Sequence, residues 1–309
     1  MIQRLLPFTT LIVLFVGLSL ASPGFFSGTN LAAVARQTAV INVMALGMTL
    51  VIITGGIDLS VGSTLALSGL LGAMMMERGA GMPMGLLAGL AIGGLCGLIN
   101  GLAITSLDVN PFIITLGTMS IYRGVALVIS GGVPVTGVPE SFAQLAQARV
   151  LGIPLALWIL AGCAVAVHVF LVRTRAGRYA FAIGSNREAA RYSGVAVKFH
   201  LTAIYAIAGL LTGLAGMLHA SRLRAGQPTE GQGYELSAIA AVVIGGGSLR
   251  GGEGSVAGTL IGAFIMGLLA NGSDLLGVNP YWQQVIIGSA IIVAVTFDEF
   301  RRRRGSHAG

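Results

Sequence analysis

Residues able to do chemistry are few in this chain, and they stand far apart. Arg123 lies inside an apolar run, 111–130. An arginine there costs at least ~2.5–3.5 kcal/mol at a helix centre, so it must face a polar cavity or a partner. Asn42, Asn100, Thr115, Ser120, Tyr122 and Tyr205 sit in or beside similar runs. Such side chains either hydrogen-bond between helices or line a polar path. Of these, Asn42, Asn100, Thr115, Tyr122 and Arg123 form the candidate pathway. His168 and His219 are lone residues, and Cys96 and Cys163 fall inside apolar runs, where cysteine reads as a small buried hydrophobe. No G-x-x-x-x-G-K-[ST], H-E-x-x-H, G-x-S-x-G or paired-cysteine spacing occurs. The only lysine, Lys198, is in no phosphate loop. Gly252-x-Gly254-x-x-Ala257 has dinucleotide-like spacing, but a membrane-length apolar stretch follows it instead of a strand–helix–strand unit. The expectation is a chain that is not an enzyme and that binds neither metal nor cofactor.

The most legible local structure lies between Arg173 and Lys198, which holds six of the eighteen Lys and Arg residues. Ser185-Asn186-Arg187-Glu188 has the S-x-x-E spacing of a capping box, and Gly194 suits the left-handed position past a helix end. The predicted helix is about eight residues, or ~12 Å. Helices that short are marginal in water unless something packs on them. Ala189 and Ala190 offer a face for close docking, and Arg187 and Arg191 are placed to meet acidic groups. The helix either docks on a partner or lies as an amphipathic turn on the chain's own membrane surface.

Composition sets the class. Of 309 residues, 55% are hydrophobic and 9% charged, against roughly 25% charged in soluble domains; mean hydropathy is +0.87. The 47 glycines suit close helix–helix approach in lipid. An all-α integral membrane protein is expected, one polytopic domain over residues 1–309. At ~20 residues per crossing, ten spans fit, at about 5–22, 38–54, 59–76, 83–106, 111–130, 153–172, 199–219, 236–249, 254–270 and 282–297. With the N-terminus in the cytoplasm, Arg4, the loop 173–198, Arg250 and the basic tail 298–309 share the positive, cytoplasmic side. The net charge of +7 is thereby explained by topology, and no nucleic-acid partner is expected. The most polar external stretch is 227–235, where Gln227, Glu230, Tyr234 and Glu235 are candidates to meet an external partner.

Gly55-Gly56-Ile57-Asp58 and the glycine-rich run 245–253 interrupt apolar sequence. They read as tight turns in preference to helix breaks within the membrane. Ile52-Ile53-Thr54-Gly55-Gly56 and Val243-Ile244-Gly245-Gly246-Gly247 suggest an internal duplication. Val109-Asn110-Pro111 and Val278-Asn279-Pro280 suggest it too, yet the ten-span topology puts those two on opposite sides.

The segment Glu188-Ala189-Ala190-x-x-x-Gly194 resembles the EAA-x-x-x-G loop of ABC importer permeases. The stretch Gly47 to Ser63, the block Pro111-Phe112-Ile113-Ile114-Thr115-Leu116-Gly117-Thr118-Met119 with Arg123-Gly124, Thr174-Arg175-Ala176-Gly177-Arg178, Gln227-Pro228-Thr229 and Asn279-Pro280-Tyr281-Trp282-Gln283 resemble the permeases of ribose-type sugar importers. The likeness runs from about residue 5 to residue 300, with Gly184-Ser185-Asn186 where that family usually has Gly-Gly-Asn. It implies a short cytoplasmic coupling helix, with Ser185, Asn186, Arg187, Glu188, Ala189, Ala190, Arg191 and Gly194 meeting a separate ATPase. It further implies two ATPase copies or a tandem ATPase holding ATP and Mg, and a second permease copy or paralogue. A periplasmic or lipid-tethered sugar-binding protein would deliver a monosaccharide, by preference ribose-type, across the bacterial inner membrane. The alternative is an ion-coupled secondary transporter or channel working without an ATPase, which would need an intramembrane acid or histidine relay.

Overall fold

The computed structural model describes residues 2–279, 281–289, 292–293 and 296, with side chains from residue 7 onward. The last expected span, 282–297, is therefore only partly covered, and the basic tail 298–309 lies outside the described residues.

Among the described residues the regular structure is helical, apart from one hairpin of two two-residue strands. In order come α1 (Ile2–Ala21), α2 (Gly28–Ile53), α3 (Val61–Met75), a short π turn (Met76–Ala80), α4 (Gly81–Leu107), α5 (Pro111–Ser130) and α6 (Glu140–Leu145). The hairpin β1 (Arg149–Val150) and β2 (Ile153–Pro154) follows, then α7 (Leu155–Arg173), α8 (Arg175–Ser185), α9 (Arg187–Tyr192), α10 (Val197–Leu223), α11 (Tyr234–Ile244) and α12 (Val256–Leu275). Residues 281–289 are helical as well. Among the described residues, six runs are long and apolar enough to cross a membrane. One of them, Val61–Leu107, folds back on itself: Gly79 and Gly81 at positive φ turn the chain, and α3 packs against α4.

Capping fixes several starts. Asn110 accepts from the Phe112 N–H, and Pro111 occupies the first turn of α5, where its missing N–H costs nothing. Ser255 caps α12 through the Gly258 N–H, and Thr174 caps α8 through the Gly177 N–H.

The centre of the molecule is α2, whose residues 38–53 are all buried. It is enclosed by α10, α12, α7 and α11. The tightest contact joins α4 and α10. Glycines recur every fourth residue on α4, and Gly93 and Gly97 meet Gly209 and Gly213 backbone to backbone. In lipid, where apolar side chains gain little by leaving the surrounding tails, such small-residue faces let dispersion and backbone contacts hold helices together.

Two ends of the bundle can be told apart by contacts. On one face the end of α2 meets α8 and the α11–α12 connection: the Gly252 N–H donates to the Ile53 carbonyl, 2.8 Å. Arg187 at the start of α9 reaches Asp108, just past α4. On the opposite face α6 inserts Phe142, fully buried, against Met76, Met217 and Ala220, and Val135 bridges Gly226. Asn110 starts α5 on the first face, whereas Val278 and Asn279 follow α12, whose end pairs with the start of α2 on the other through Asn271 and Asn30. Val109-Asn110 and Val278-Asn279 thus do not occupy equivalent places. The Ile-Ile-Thr-Gly-Gly and Val-Ile-Gly-Gly-Gly stretches do, since each ends one helix and leads into the next from the same face.

Candidate functional site

Helices α3 and α11 are short for their expected spans. α11 has 11 residues, about 16 Å at 1.5 Å per residue, against a hydrocarbon core of ~30 Å. α3 has 15 residues, about 22 Å. Their N-terminal ends meet inside the bundle, where Gly62 lies against the Gly231 backbone and the Glu235 carboxylate. The segment 54–60 leading into α3 is therefore not the tight surface turn expected from its glycines. It is an internal break, with Asp58 3% and Ser60 1% exposed. Irregular backbone at that depth is tolerated only when protein groups satisfy it.

They do. The Asp58 Oδ1 accepts from the Ser60 N–H at 2.9 Å and from the Ser60 hydroxyl at 2.7 Å. Asn100 Nδ2 donates to Ser60 Oγ at 2.8 Å and lies 3.5 Å from both carboxylate oxygens. The Tyr122 hydroxyl is shared between Asn100 Oδ1, 3.1 Å, and the Cys96 carbonyl, 3.0 Å. The free Ile57 carbonyl is met by the Thr115 hydroxyl at 3.2 Å and by the Tyr205 hydroxyl at 3.4 Å.

Above this break the connection 224–233 folds inward. Arg123 Nη1 donates to the Pro228 and Glu230 carbonyls, 2.6 and 2.7 Å. His219 Nε2 lies 3.2 Å from Glu230 Oε2, and this hydrogen bond holds the Glu230 carboxyl below the usual carboxylate range. Glu235 accepts from the Gly233 N–H. Of the candidates for external contact, Gln227, Glu230, Tyr234 and Glu235 are all partly buried, while Thr229 and Gln232 between them are exposed.

Four of the five pathway candidates, Asn100, Thr115, Tyr122 and Arg123, thus converge around the break and the inward loop. Asn42 does not join them. It is fully buried on α2 and bonds to the Thr38 carbonyl, and its Oδ1 has no partner among the described residues. Sequence reasoning named Tyr205 among the polar residues of the spans but not in the candidate pathway, read His219 as a lone residue and Asp58 as part of a turn, and did not single out Ser60. The signal for Asp58 was present, an acid with apolar sequence on both sides.

On the first face, α9 corrects the expected cap. The helix is six residues, and its N-cap is Asn186, whose Oδ1 accepts from the Ala189 N–H at 2.9 Å. Ser185 belongs to the end of α8, because α8 runs through the position where a capping box would need an extended residue. Glu188 pairs with Arg191 at 2.8 Å instead of reaching back to the cap. Gly194 does take the left-handed conformation, φ +84°. The alanine pair is divided: Ala190 packs inward on Ile183, Val197 and Leu201, so only Ala189 faces out, beside Glu188, Arg191 and the 81% exposed Tyr192. A cavity of about 230 Å³ lies beneath, bounded by Gly55, Gly184, Arg187, Tyr205 and Arg250. No group of three or more His, Cys, Asp or Glu with metal-binding geometry occurs among the described residues.

Residues 30–295 match the family described as branched-chain amino acid transport system / permease component. The chain belongs to that permease family. This permease is 44% identical over 292 residues to the ribose import permease protein RbsC of Escherichia coli (strain K12), covering 93% of the chain and 91% of the relative. The corresponding figures for the ribose import permease protein RbsC of Bacillus subtilis (strain 168) are 45% over 298 residues, 96% and 92%. The D-allose transport system permease protein AlsC of Escherichia coli (strain K12) is 39% identical over 281 residues, 91% and 86%. No solved structure matches this permease. Its relatives are transport subunits and not enzymes, and its helical architecture, with six long apolar runs among the described residues, is that of an integral membrane protein.

Proposed function

We propose that this permease is the membrane-spanning subunit of an ATP-driven importer that carries a monosaccharide, ribose-type by preference, into the cytoplasm by alternating access. The observation that carries this reading is the identity of 44–45% with two ribose permeases over more than nine-tenths of the chain. The family description names branched-chain amino acids, but the relatives at this identity are named as sugar permeases, and none of them is named as an ion-coupled carrier.

In this reading one polytopic domain crosses the inner membrane about ten times, counting as separate passes α3 with the break before it, α4, α11 with the inward connection before it, and the helix that begins at 281. The face with α8, α9 and Arg250 is cytoplasmic, because it gathers the cations of 173–198, and both termini lie on that side. α9 is the coupling helix; its outward residues Arg187, Glu188, Ala189 and Arg191 meet an ATPase that binds ATP and Mg. The opposite face, with α6 and the hairpin, receives the sugar-binding protein, and a second permease copy or paralogue completes the assembly. A docked helix transmits the ATPase's work; it does not generate the ~5.5 kcal/mol of differential binding that reverses a 1:99 conformational preference.

The test is uptake of radiolabelled ribose into proteoliposomes holding the permease, its ATPase and its binding protein, with Glu188→Lys and Ala189→Trp beside wild type. ATP-dependent uptake that needs every component and falls in both variants is expected. Uptake by the permease alone on an ion gradient would sink the reading.

A further inference from the structure

The chain from Ile53 to Gly62 touches the end of α8 and two separate loops through backbone atoms. At its first end the Ile53 carbonyl accepts from the Gly252 N–H, and Gly184, two residues before α9's cap, is wedged against both: a Cβ there would lie 2.5 Å from the Gly252 nitrogen and closer still to the Ile53 oxygen. Gly251 in turn sits against Gly55 and Gly184, where an added Cβ would fall 2.8 and 2.9 Å from their backbone atoms. At its far end Gly62 meets Gly231 of the inward connection, which Arg123 holds by two carbonyls. Side chains bend and change rotamer under load, whereas backbone in contact with backbone has little room to give. A displacement of the α8 end is therefore passed on to Ile53 and not absorbed.

We propose that segment 53–62 is the element that carries movement of the coupling loop to the 227–233 loop on the other side of the break, with Gly184 and Gly252 as positioning residues at its input and Gly62 and Gly231 at its output. This deepens the importer reading and rests on it. Ile53, Gly184 and the 251–254 stretch move as one body during the transport cycle, and α9 need not touch the pathway to control it.

Two changes test the relay in the complete complex reconstituted in proteoliposomes. Gly184→Ala forces a methyl between Ile53 and Gly252. Uptake is expected to fall at least tenfold while the ATPase still co-purifies and hydrolyses ATP, which a merely structural role would not produce. Ile53→Cys with Gly254→Cys joins the two sides covalently, as a Cβ at Gly254 would lie 2.8 Å from Ile53 Cγ1. Because the proposal makes these one body, uptake under oxidising conditions should stay within twofold of the reduced sample, with closure of the bridge verified by mass spectrometry. Loss of uptake on oxidation, or unimpaired coupled uptake by Gly184→Ala, overturns the relay. If Gly184→Ala fails to assemble, the cross-linked pair decides alone. Wild type without ATP-driven uptake counts against the importer reading instead.

Discussion

Asn100 on α4 and Asp58 in the break before α3 are 42 positions apart, yet the Asn100 amide faces both carboxylate oxygens of Asp58 and donates to Ser60 beside them. A buried carboxylate is costly unless paired or hydrogen-bonded, so this amide helps to hold the break where it is. Asn100→Ala removes the donor to Ser60 and the acceptor for Tyr122 together with the longer contacts to Asp58, whereas Tyr122→Phe removes one hydroxyl, and each hydrogen bond is worth about 0.5–1.5 kcal/mol. Thermal unfolding in detergent should rank Asn100→Ala as the more damaging of the two. The reverse order would show that Asp58 is satisfied without Asn100.

Arg123 holds the inward loop through two carbonyls at once. Arg123→Ala leaves both unpaired in a partly buried site, at roughly 1–3 kcal/mol for each. The consequence should be local: hydrogen exchange at 227–233 accelerates, while exchange in α2 is unchanged. Arg123→Lys gives an intermediate result, because an ammonium on a flexible stem lacks the planar fork of a guanidinium. Equal acceleration throughout the bundle would show that Arg123 supports the whole fold and not this loop.

The contact of α4 with α10 gives a matched comparison. A Cβ at Gly93 would strike Gly209 and Gly213, whereas one at Gly117 on α5 meets nothing within 4 Å. Gly93→Ala should therefore cost about 1–3 kcal/mol by overpacking. Gly117→Ala should be neutral or stabilising by up to about 1 kcal/mol, through the better helix propensity of alanine. Detergent unfolding midpoints for the two variants check the pair, and equal destabilisation would refute the packing argument.

Much of this was legible before any coordinates. The apolar runs report helices directly, and the 47 glycines agree with the close faces those helices share. What was not legible is depth. Gly55-Gly56 ends a helix in either a surface turn or an internal break, and only the partners of Asp58, Ser60 and Ile57, drawn from α4, α5 and α10, distinguish the two. The same limit hides the inward packing of the polar stretch 227–235, because the arginine that holds it lies more than 100 positions away. The cap of α9 was misplaced by one residue for a different reason. Ser185 and Asn186 are both good caps, and the choice was made by α8, an adjoining helix whose last turn takes up Ser185.

That choice supplies a test that separates folding of α9 from its docking. Asn186→Ala removes the side-chain acceptor for the Ala189 N–H and should cost about 0.5–2 kcal/mol, with Asn186→Asp retaining most of the cap. Ser185→Ala should leave the α9 cap intact. Glu188→Lys breaks only an exposed pair with Arg191, 62% exposed on each side, and exposed pairs contribute ~0–1 kcal/mol. It should hardly move the unfolding midpoint of the permease, yet reduce co-purification of the ATPase. A midpoint that falls further with Ser185→Ala than with Asn186→Ala would restore the capping box. Full ATPase retention by Glu188→Lys would remove the exposed face of α9 from the docking surface.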